Sequence, residues 1–490
     1  MNFKTKPIAW TIAASDSGGG AGIQADLKTF FDLGVHGCSA ITAITAQNTQ
    51  GVYAVDVTYA DSLQQQLRAL VVDLPPAAIK IGVLPSVEAV AIVIETLKKL
   101  GHCSVIFDTV MAPTFGQAFS SDDLLPIFFE LLPYIDILTP NIPEAEKLTG
   151  IRIDDCESRQ RAAKKLCSMG ATAVLLKGGH GEGDYCQDLY LSTDDTFWLS
   201  QQKHQTHHTH GTGCTLSSAM AAFIAQGKSM RDAVVLANAY VNKGIRLAPP
   251  LAKQKRGAVV QTAWPDDLSA FPQISLTAKE INLAPMPVCE SRRWGLYPVV
   301  DSVEWLEKLL RLGVKTLQIR VKDMPESALE DIIKKAVELE HQYQARLFIN
   351  DYWQLAIKYK AYGVHLGQED VADADMEAIR VAGLRLGIST HGEYEFSYAA
   401  TFKPSYLAIG AIFPTDTKEV IEVGLSNLYR WAGILDNHYP LVAIGGINQN
   451  NIDSVLASGV GAIAVVSAIT KADDYIASTA QLNQIISRYS

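Results

Sequence analysis

Two patterns of apolar and polar residues divide this chain into two halves. In the first half, apolar runs alternate with segments of helical period, and this alternation predicts a largely parallel sheet covered by helices. The predicted strands are AWTIAA, CSAITAITA, AIKIGVL, SVIFDTV, DILTPN and AVLLKGG. Between residues 264 and 293 the period is lost and prolines accumulate, which predicts an inter-domain connection.

The second half repeats one strand–helix unit from GLYPVVD onward. Its eight predicted strands are LYPVV, TLQIRV, RLFIN, GVHLG, LRLGIS, YLAIGAIF, LVAIGGI and GAIAVVS. Eight such units in roughly 200 residues are typical of a (β/α)8 TIM barrel. We therefore predict an α/β domain over residues 1–265, a linker over residues 266–293 and a barrel over residues 294–490.

The bulk composition excludes several classes of protein. The chain has 490 residues and a net charge of −10, which argues against general binding to nucleic acid or to anionic membranes. Its seven cysteines include no C-x-x-C pair, so a reducing compartment fits better than a disulfide framework or a zinc site. The N-terminus imitates a signal peptide, but its apolar run is short and leads directly into SDSGGGAG. Because no segment has the roughly 18 apolar residues that span a bilayer, we expect a cytoplasmic protein.

Polar residues follow the strands of the second half, at the end where TIM barrels carry their catalytic groups. Alternation along strand two turns Gln318, Arg320 and Lys322 to one side, facing the barrel mouth. The polar and glycine positions after the later strands are Asn350, Asp351, Gln368, Asp370, Ser389, His391, Thr415, Thr417, Lys418, Gly445, Gly446, Val466 and Ser467.

The residue types at this mouth indicate a chemistry. Three cations, Arg320, Lys322 and Lys418, predict a polyanionic ligand. Two carboxylates, Asp351 and Asp370, suit a Mg²⁺ ion that bridges protein to phosphates. The glycine pair after strand seven and the serine after strand eight match the phosphate seat of this fold. Because no nucleophile or strong base stands out, a reaction driven by departure of a metal-bound diphosphate is favoured.

A non-functional interpretation of the polar residues at the barrel mouth stays open. Each of these residues taken alone could be an ordinary solvated loop residue, and the set as a whole is what favours a site. His365, inside GVHLG, is interpreted as a hydrogen-bonded core residue or as support for a ligand-binding residue, and His391 is left open.

In the first half, the segment THGTGCTLSSAMAAF places a cysteine where a helix begins. Gly211 and Gly213 let an anion approach backbone amides at the positive end of that helix. Cys214 has three candidate roles: covalent nucleophile, proton acceptor or small helix-start residue. We expect the helix N-terminus to lower the pKa of its thiol. An exposed strand and loop, rather than a metal site, is favoured for the nearby His204, His207, His208 and His210.

Other polar residues of the first half lie at strand ends and turns. SDSGGGAGIQADLKTF is a second glycine turn before a helix, and it carries Asp16 and Asp26. Gln47 and Asn48 suit hydrogen bonds to a heterocycle. The remaining candidates are Asp108, a Mg²⁺–water pair formed by Asn141 and Glu144, and the phosphate-binding Lys177.

The barrel half resembles thiamine-phosphate synthase through QIRVKD, FINDYW, GVHLGQED, GISTH, FPTDTK, AIGGI and IAVVSAI. The resemblance implies condensation of hydroxymethylpyrimidine diphosphate with a thiazole phosphate. It implies Mg²⁺ at Asp351 and Asp370, and Arg320 and Lys418 as the catalytic cations. The pyrimidine diphosphate would be held by Gln318, Arg320, Lys322, Asn350, Ser389 and Lys418. The thiazole phosphate would be held by Thr415, Thr417, Gly446, Val466 and Ser467.

The first half resembles hydroxymethylpyrimidine/phosphomethylpyrimidine kinases through GGGAGIQADLKTF, AQNT, KIG, TPNIPEAE, KGGH and HGTGCT. The resemblance implies a ribokinase-like three-layer α/β/α fold that transfers phosphoryl groups from ATP to an alcohol and then to its monophosphate. It implies that Cys214, beside the amides of Gly211 and Gly213, is a proton acceptor or orienter and not a nucleophile. Asp26 and Gln47 would bind the pyrimidine, and Asn141, Glu144 and Lys177 would bind the nucleotide. A homodimer through this domain is also implied.

Two alternatives remain at this point. The first domain could be a pyridoxal-type vitamin kinase, which shares the fold, although AQNT with HGTGC argues against it. The barrel could be a non-catalytic ligand-binding or scaffolding module, and the short EVIEVG loop after Lys418 is the feature that would support it.

Overall fold

The computed structural model describes residues 5–110, 124–179, 184–251, 257–278, 282–322, 324–415 and 422–489. The chain divides into two compact units. The first comprises Met1–Pro265 with Ser269–Glu280, and the second comprises Asp266–Leu268 with Ile281–Ser490. Part of the segment that the sequence assigns to a linker therefore belongs to the first unit, where it supplies a strand over Gln273–Ser275.

The first unit is built on one ten-stranded sheet. Its strands are β1 (Ile8–Asp16), β2 (His36–Asn48), β3 (Gly51–Val57), β4 (Ala78–Ile81), β5 (Ser104–Phe107), β6 (Ile137–Leu138), β7 (Ala173–Leu176), β8 (Tyr185–Ser192), β9 (Thr196–Gln202) and β10 (Gln273–Ser275). The strand order is β10-β9-β8-β7-β6-β5-β4-β1-β2-β3. The six strands β2, β1, β4, β5, β6 and β7 are parallel, and antiparallel strands extend both edges.

Helices cover both faces of this sheet. They are α1 (Gly22–Asp32), α2 (Ala60–Asp73), α3 (Val87–Leu100), α4 (Leu125–Leu131), α5 (Ile142–Thr149), α6 (Cys156–Ser168), α7 (Thr212–Ala225) and α8 (Met230–Leu247). Alternation along β1 sends Trp10 and Ile12 into a core shared with α2 to α6, while Thr11 points to α1, which packs on α7. The predicted ribokinase-like α/β/α architecture is confirmed.

The second unit is a closed barrel of eight parallel strands, as the sequence predicts. The strands are β11 (Gly295–Val300), β12 (Thr316–Ile319), β13 (Arg346–Asn350), β14 (Gly363–Leu366), β15 (Arg385–Thr390), β16 (Tyr406–Ile409), β17 (Leu441–Ile444) and β18 (Ala462–Val465). Each pairs in register with the next, and β18 returns to β11. Inward side chains such as Tyr297, Phe348 and Tyr406 fill the barrel, so it is a core and not a channel.

Helices follow the barrel strands and bury their apolar faces against them. They are α9 (Val303–Arg311), α10 (Glu326–Tyr343), α11 (Trp353–Tyr359), α12 (Gln368–Asp373), α13 (Met376–Val381), α14 (Glu393–Thr401), α15 (Gly424–Leu435), α16 (Ile452–Leu456), α17 (Ser467–Thr470) and α18 (Tyr475–Ile486). Short 3-10 helices lie at Leu132–Tyr134, Leu268–Ala270 and Ser487–Tyr489. Among the helices that the structure describes, none has the length and apolar character of a bilayer-spanning segment.

Candidate functional sites

The first glycine turn is organised by Asp16 at the end of β1. Its buried carboxylate accepts hydrogen bonds from the amides of Gly18 at 2.7 Å, Gly20 at 3.0 Å and Ala21 at 2.8 Å. Burial acts to raise the pKa of Asp16, but hydrogen bonds from His210 and from these amides outweigh it and lower the pKa. Asp16 is therefore a charged anchor of the turn rather than a group poised for proton transfer.

The second glycine turn meets the first directly. Gly211 precedes α7 with φ of +79°, and a Cβ built on it would lie 1.9 Å from the carbonyl oxygen of Gly20. His210 Nε2 lies 3.3 Å from Asp16 Oδ2 and so ties the two turns together. The two glycine segments that the sequence shows far apart form one backbone cradle, and a β-carbon at residue 211 would force it open.

Cys214 lies in the first turn of α7, behind this cradle. The predicted lowering of its pKa is wrong, because burial raises the pKa to about 11. The neighbouring Lys80 cation and a hydrogen bond from the Gly22 amide act in the opposite direction, and the carboxylates of Asp26 and Asp108 add to the increase. The thiol consequently keeps its proton at neutral pH.

Asp26, predicted to bind substrate, lies fully buried on α1. Lys80 Nζ approaches its two carboxylate oxygens at 3.0 and 2.8 Å, and Thr11 Oγ1 donates to it at 2.6 Å. Ser218 of α7 also donates to Asp26, so the carboxylate joins β1, β4, α1 and α7. Desolvation acts to lower the pKa of Lys80, but Asp26 and the other nearby anions raise it overall, so the pair is ionic. In this structure Asp26 therefore links the strand and the helices that flank the two glycine turns.

Lys80 was given no role by the sequence analysis. The feature of the sequence that could have identified Lys80 is its position as a single lysine inside the apolar run AIKIGVL, because a buried cation requires an acidic partner.

Asp108 and Lys177 converge on the cradle from the strand ends. Lys177 Nζ donates to Asp108 Oδ1 at 3.0 Å, and Asp108 Oδ2 is buried with no hydrogen-bond partner among the described residues. A Cβ built on Gly213 would lie 3.3 Å from that oxygen and 3.4 Å from Lys177 Nζ. A side chain at residue 213 would therefore crowd the Lys177 cation and the unpartnered carboxylate oxygen of Asp108.

Asn141 and Glu144 form the N-terminal capping box of α5. The backbone amide of Asn141 donates to Glu144 Oε2 at 2.9 Å, and the backbone amide of Glu144 donates to the side-chain oxygen Oδ1 of Asn141 at 2.9 Å. Thr109 also donates to Glu144. Burial and, to a smaller extent, Asp108 raise the pKa of Glu144, while Lys177 lowers it. Two neighbouring carboxylates beside a lysine fit a divalent cation that accompanies a polyphosphate.

The side of the cradle that the sequence predicts to bind a heterocycle is apolar. Ala14 packs in a small cluster with Ala43, Val52 and Val83. Gln47 lies half-buried beside it, with its backbone exchanging hydrogen bonds with the Ser17 hydroxyl at 2.7 and 2.8 Å. Asn48, the other predicted hydrogen-bonding residue here, is exposed and accepts from the Gln50 amide.

In the barrel, Gln318 is buried, Arg320 is half-buried and Lys322 is exposed, with the buried Val321 between them. β12 ends at Ile319, so Gln318 lies on the strand, whereas Arg320 and Lys322 follow it and the predicted alternation does not extend to them.

Asp351 and Asp370 are brought together at the mouth. Burial raises the pKa of Asp351 to about 6, and the neighbouring carboxylate of Asp370 adds to the increase, while Arg320 and Lys322 lower it. Asp351 also has φ of +65°, a strained conformation for a residue with a side chain. A pair of repelling carboxylates flanked by cations fits a Mg²⁺ ion that also binds substrate phosphates. Asn350 next to it is buried.

Ser389 is the penultimate residue of β15 and lies next to a buried polar cluster. His365 Nε2 lies 2.8 Å from its hydroxyl, and Gln368 Nε2 donates to its carbonyl oxygen at 2.6 Å. His365 is therefore a hydrogen-bonded residue inside the barrel, as the sequence analysis favoured.

The predicted phosphate seat lies across the last two strands. Gly446 has φ of +64°, and a Cβ on it would lie 2.5 Å from the carbonyl oxygen of Pro414. Thr415 is half-buried next to Pro414, and Val466 and Ser467 begin α17 after β18. Thr417 and Lys418 lie outside the described residues.

Comparisons with known proteins match the two halves of the chain to two different families. A family model described as phosphomethylpyrimidine kinase matches residues 16–259, and one described as thiamine monophosphate synthase matches residues 295–469. A probable thiamine biosynthetic bifunctional enzyme, chloroplastic, of Oryza sativa subsp. japonica is 32% identical, and the alignment covers 99% of this chain and 89% of the rice protein.

Each half also has relatives of its own. Thiamine-phosphate synthase of Serratia proteamaculans is 58% identical over 39% of this chain and 91% of its own length. Among solved structures, a pyridoxal kinase from Staphylococcus aureus in complex with ADP is 29% identical with a TM-score of 0.50, covering 56% of this chain and 99% of that one.

Proposed function

This chain belongs to the family of bifunctional thiamine biosynthetic enzymes, and on that premise we propose residue roles for its two sites. It is a transferase with a phosphomethylpyrimidine kinase domain and a thiamine-phosphate synthase domain. The first domain is proposed to phosphorylate 4-amino-5-hydroxymethyl-2-methylpyrimidine and then its monophosphate. The second is proposed to condense the resulting diphosphate with thiazole phosphate, which yields thiamine phosphate and diphosphate.

In the kinase domain, the cradle of Gly211 and Gly213 is proposed to hold the phosphoryl group in transfer. The observation that carries this assignment is the close approach of Asp108 Oδ2 and Lys177 Nζ to Gly213, which a side chain there would crowd. Lys177, Asn141 and Glu144 are proposed to bind ATP with Mg²⁺, which neutralises developing phosphate charge when bound. The ADP complex of the Staphylococcus aureus neighbour supports a nucleotide at this fold. Gln47 is proposed to bind the pyrimidine.

Cys214 is proposed to orient the acceptor hydroxyl, since its raised pKa leaves a neutral thiol. Asp108 Oδ2, buried without a hydrogen-bond partner among the described residues, is proposed as the acceptor for the hydroxyl proton. Only the alcohol needs proton removal, because a phosphate monoester is already ionised at neutral pH. Asp26 is proposed to support Cys214 through Lys80 and Ser218 rather than to touch the substrate.

Cys214→Ala is expected to slow phosphorylation of the alcohol about tenfold or more, with a smaller effect on the monophosphate. Cys214→Ser is the matched control, because its hydroxyl can still orient the acceptor, and it should retain more alcohol activity. Initial rates with each acceptor at saturating ATP measure the difference. An equal loss in both steps would remove the proposed role.

In the barrel, Asp351 and Asp370 are proposed to bind Mg²⁺, which stabilises the departing diphosphate when bound. Gln318, Arg320, Lys322, Asn350, Ser389 and Lys418 are proposed to hold the pyrimidine diphosphate. Thr415, Thr417, Gly446, Val466 and Ser467 are proposed to hold the thiazole phosphate. The observation that carries this site is the proximity of the two carboxyl groups, because Asp370 lies close enough to Asp351 to raise its pKa.

Asp351→Asn should reduce condensation with supplied diphosphate by about 100-fold or more, since one of two metal carboxylates is lost. Kinase rates in the same preparation should stay at the wild-type value. Asp373→Asn, an exposed carboxylate on α12, is the control. A parallel loss of kinase activity would mean that the two domains do not work independently.

A pyridoxal-type activity of the first domain is less supported, because the matching family model is that of phosphomethylpyrimidine kinase. Side-by-side rates with pyridoxal and the pyrimidine alcohol separate the two.

A homodimer through the kinase domain is proposed on the exposed edge of its sheet. β3 is the last strand in the sheet order, and Ile44, Tyr53 and Val57 are exposed large apolar residues of β2 and β3. Sedimentation of the full chain tests this assembly. A reducing, cytoplasmic setting is proposed from the charge and from seven free thiols.

A further inference from the structure

A chain of polar side chains crosses the interior of the barrel. Gln318 Nε2 donates to the Tyr297 hydroxyl at 3.4 Å, and this hydroxyl lies 2.9 Å from that of Tyr406. The Tyr406 hydroxyl lies 2.7 Å from His365 Nδ1, and His365 Nε2 lies 2.8 Å from Ser389 Oγ. The chain thus runs over five strands and connects two residues proposed to hold the pyrimidine diphosphate.

The surroundings of this chain are apolar. Tyr297 and Tyr406 belong to the core cluster with Phe348, Ala408 and Val442. Burial raises the pKa of both phenols well above the ordinary value, so each keeps its proton. A buried hydroxyl without an acceptor is destabilising, so each proton is expected to have a partner among these hydrogen-bonded side chains.

Accounting for the donors gives the chain a direction. Because Gln318 donates to Tyr297, the Tyr297 hydroxyl must donate to Tyr406, and Tyr406 must donate to His365 Nδ1. His365 then carries its proton on Nε2 and donates it to Ser389 Oγ. The Ser389 hydroxyl proton is left for an acceptor at the mouth, and the Gln318 carbonyl oxygen is left as an acceptor.

The opposite direction requires the Gln318 side-chain amide to be flipped. If His365 carried its proton on Nδ1, every hydroxyl would turn around, and the Tyr297 proton would need the Gln318 carbonyl oxygen as its acceptor. The two ends of the chain would then exchange their hydrogen-bonding character, with Ser389 accepting and Gln318 donating at the mouth.

We propose that Tyr297, Tyr406 and His365 are positioning residues that couple the amide orientation of Gln318 to the proton that Ser389 presents. This inference rests on the proposed role of Gln318 and Ser389 in holding the pyrimidine diphosphate. An aminopyrimidine has an amino donor beside ring-nitrogen acceptors along its edge. A fixed direction of the hydrogen-bond chain therefore matches one edge of the ring and disfavours a ring whose donors and acceptors are exchanged.

The first test is spectroscopic and needs no activity. In full chain labelled with ¹⁵N-histidine, the resonances of His365 are identified by their loss in His365→Asn. We expect protonated Nε2 and unprotonated Nδ1 in the wild type. Tyr406→Phe, which removes the donor to Nδ1, should change this tautomer signature. A protonated Nδ1 in the wild type, or an unchanged signature in Tyr406→Phe, would overturn the proposal.

The second test is kinetic. Tyr406→Phe should lower kcat for condensation about tenfold, the equivalent of one hydrogen bond, with KM for thiazole phosphate unchanged. Tyr362→Phe is the matched control, because Tyr362 packs on the same Phe348 ring outside the chain, and it should stay near wild type. A Tyr406→Phe rate equal to that of Tyr362→Phe would contradict the proposal.

Two safeguards keep the outcomes separate. If Tyr406→Phe does not fold, Tyr297→Phe interrupts the chain one step earlier and should give a smaller kinetic loss. If the wild type shows the expected tautomer but no condensation, the proposed function fails while the hydrogen-bond chain stands.

Discussion

At the scale of single residues, burial decides which charged groups are ready for chemistry. Cys214 shows this most clearly, because its position at a helix start predicted a reactive thiol and burial reverses the direction of its pKa shift. The sequence contains the helix start, but the neighbouring Asp26 and Asp108 come from distant segments. Lys80 shows the converse, since its charge is kept inside the core by Asp26.

Glu340 provides a residue-scale test outside both sites. This carboxyl is buried on α10, and burial raises its pKa to about 8 although the Tyr362 amide and Arg385 act to lower it. A folded-state pKa above the unfolded one means that stability is full below about pH 4.5 and is lost as the pH rises through 8.

Glu340→Gln should therefore stabilise the barrel at pH 9, by roughly 3–5 kcal/mol at most, with a smaller gain at pH 6. Hydrogen exchange of α10 and β14 in the full chain, compared at the two pH values, measures this. Glu338→Gln removes an exposed carboxylate from the same helix and should change neither. Equal effects of Glu340→Gln at both pH values would contradict the assigned pKa.

At the scale of elements, the parallel strands could be predicted and the antiparallel strands of the first unit could not. All eight barrel strands and the parallel strands of the first unit other than β2 are largely buried runs, as their apolar patterns indicate. β3, β8 and β9 were missed. Several residues of β3 and β8 are partly or fully exposed, which removes the apolar run, whereas β9 has four consecutive buried residues and exposure does not explain its omission. β10 lies in a proline-containing segment that the sequence assigned to a linker. The contact between the two glycine turns was invisible for the same reason as the pKa of Cys214: it joins residues nearly two hundred positions apart.

Gly211→Ala tests that contact. The added Cβ would meet the Gly20 carbonyl oxygen at 1.9 Å, so the cradle should open and kinase activity should fall about 100-fold or more. Gly227→Ala follows the other end of α7 with φ of +87° and open space around it, so it carries the backbone strain without the clash. Initial rates with the monophosphate compare the two variants. Comparable losses in both would indicate that strain, not the meeting of the turns, is responsible.

At the scale of the whole molecule, two units with different folds each carry a proposed site at the carboxyl ends of parallel strands. The product proposed for the first site is the substrate proposed for the second. The family could be recognised from short motifs in both halves, and the comparisons agree with it. The support behind those motifs, such as the Asp26–Lys80 pair and the Tyr297–Tyr406 contact, required the structure because each joins separate strands or helices.

The most direct test supplies the purified chain with the pyrimidine alcohol, ATP, Mg²⁺ and thiazole phosphate and identifies the products over time. We predict monophosphate, then diphosphate, then thiamine phosphate from wild type, and accumulation of the pyrimidine diphosphate from Asp351→Asn. Absence of the diphosphate in both proteins, or thiamine phosphate formed at the wild-type rate by Asp351→Asn, would contradict the account of two sites acting in sequence.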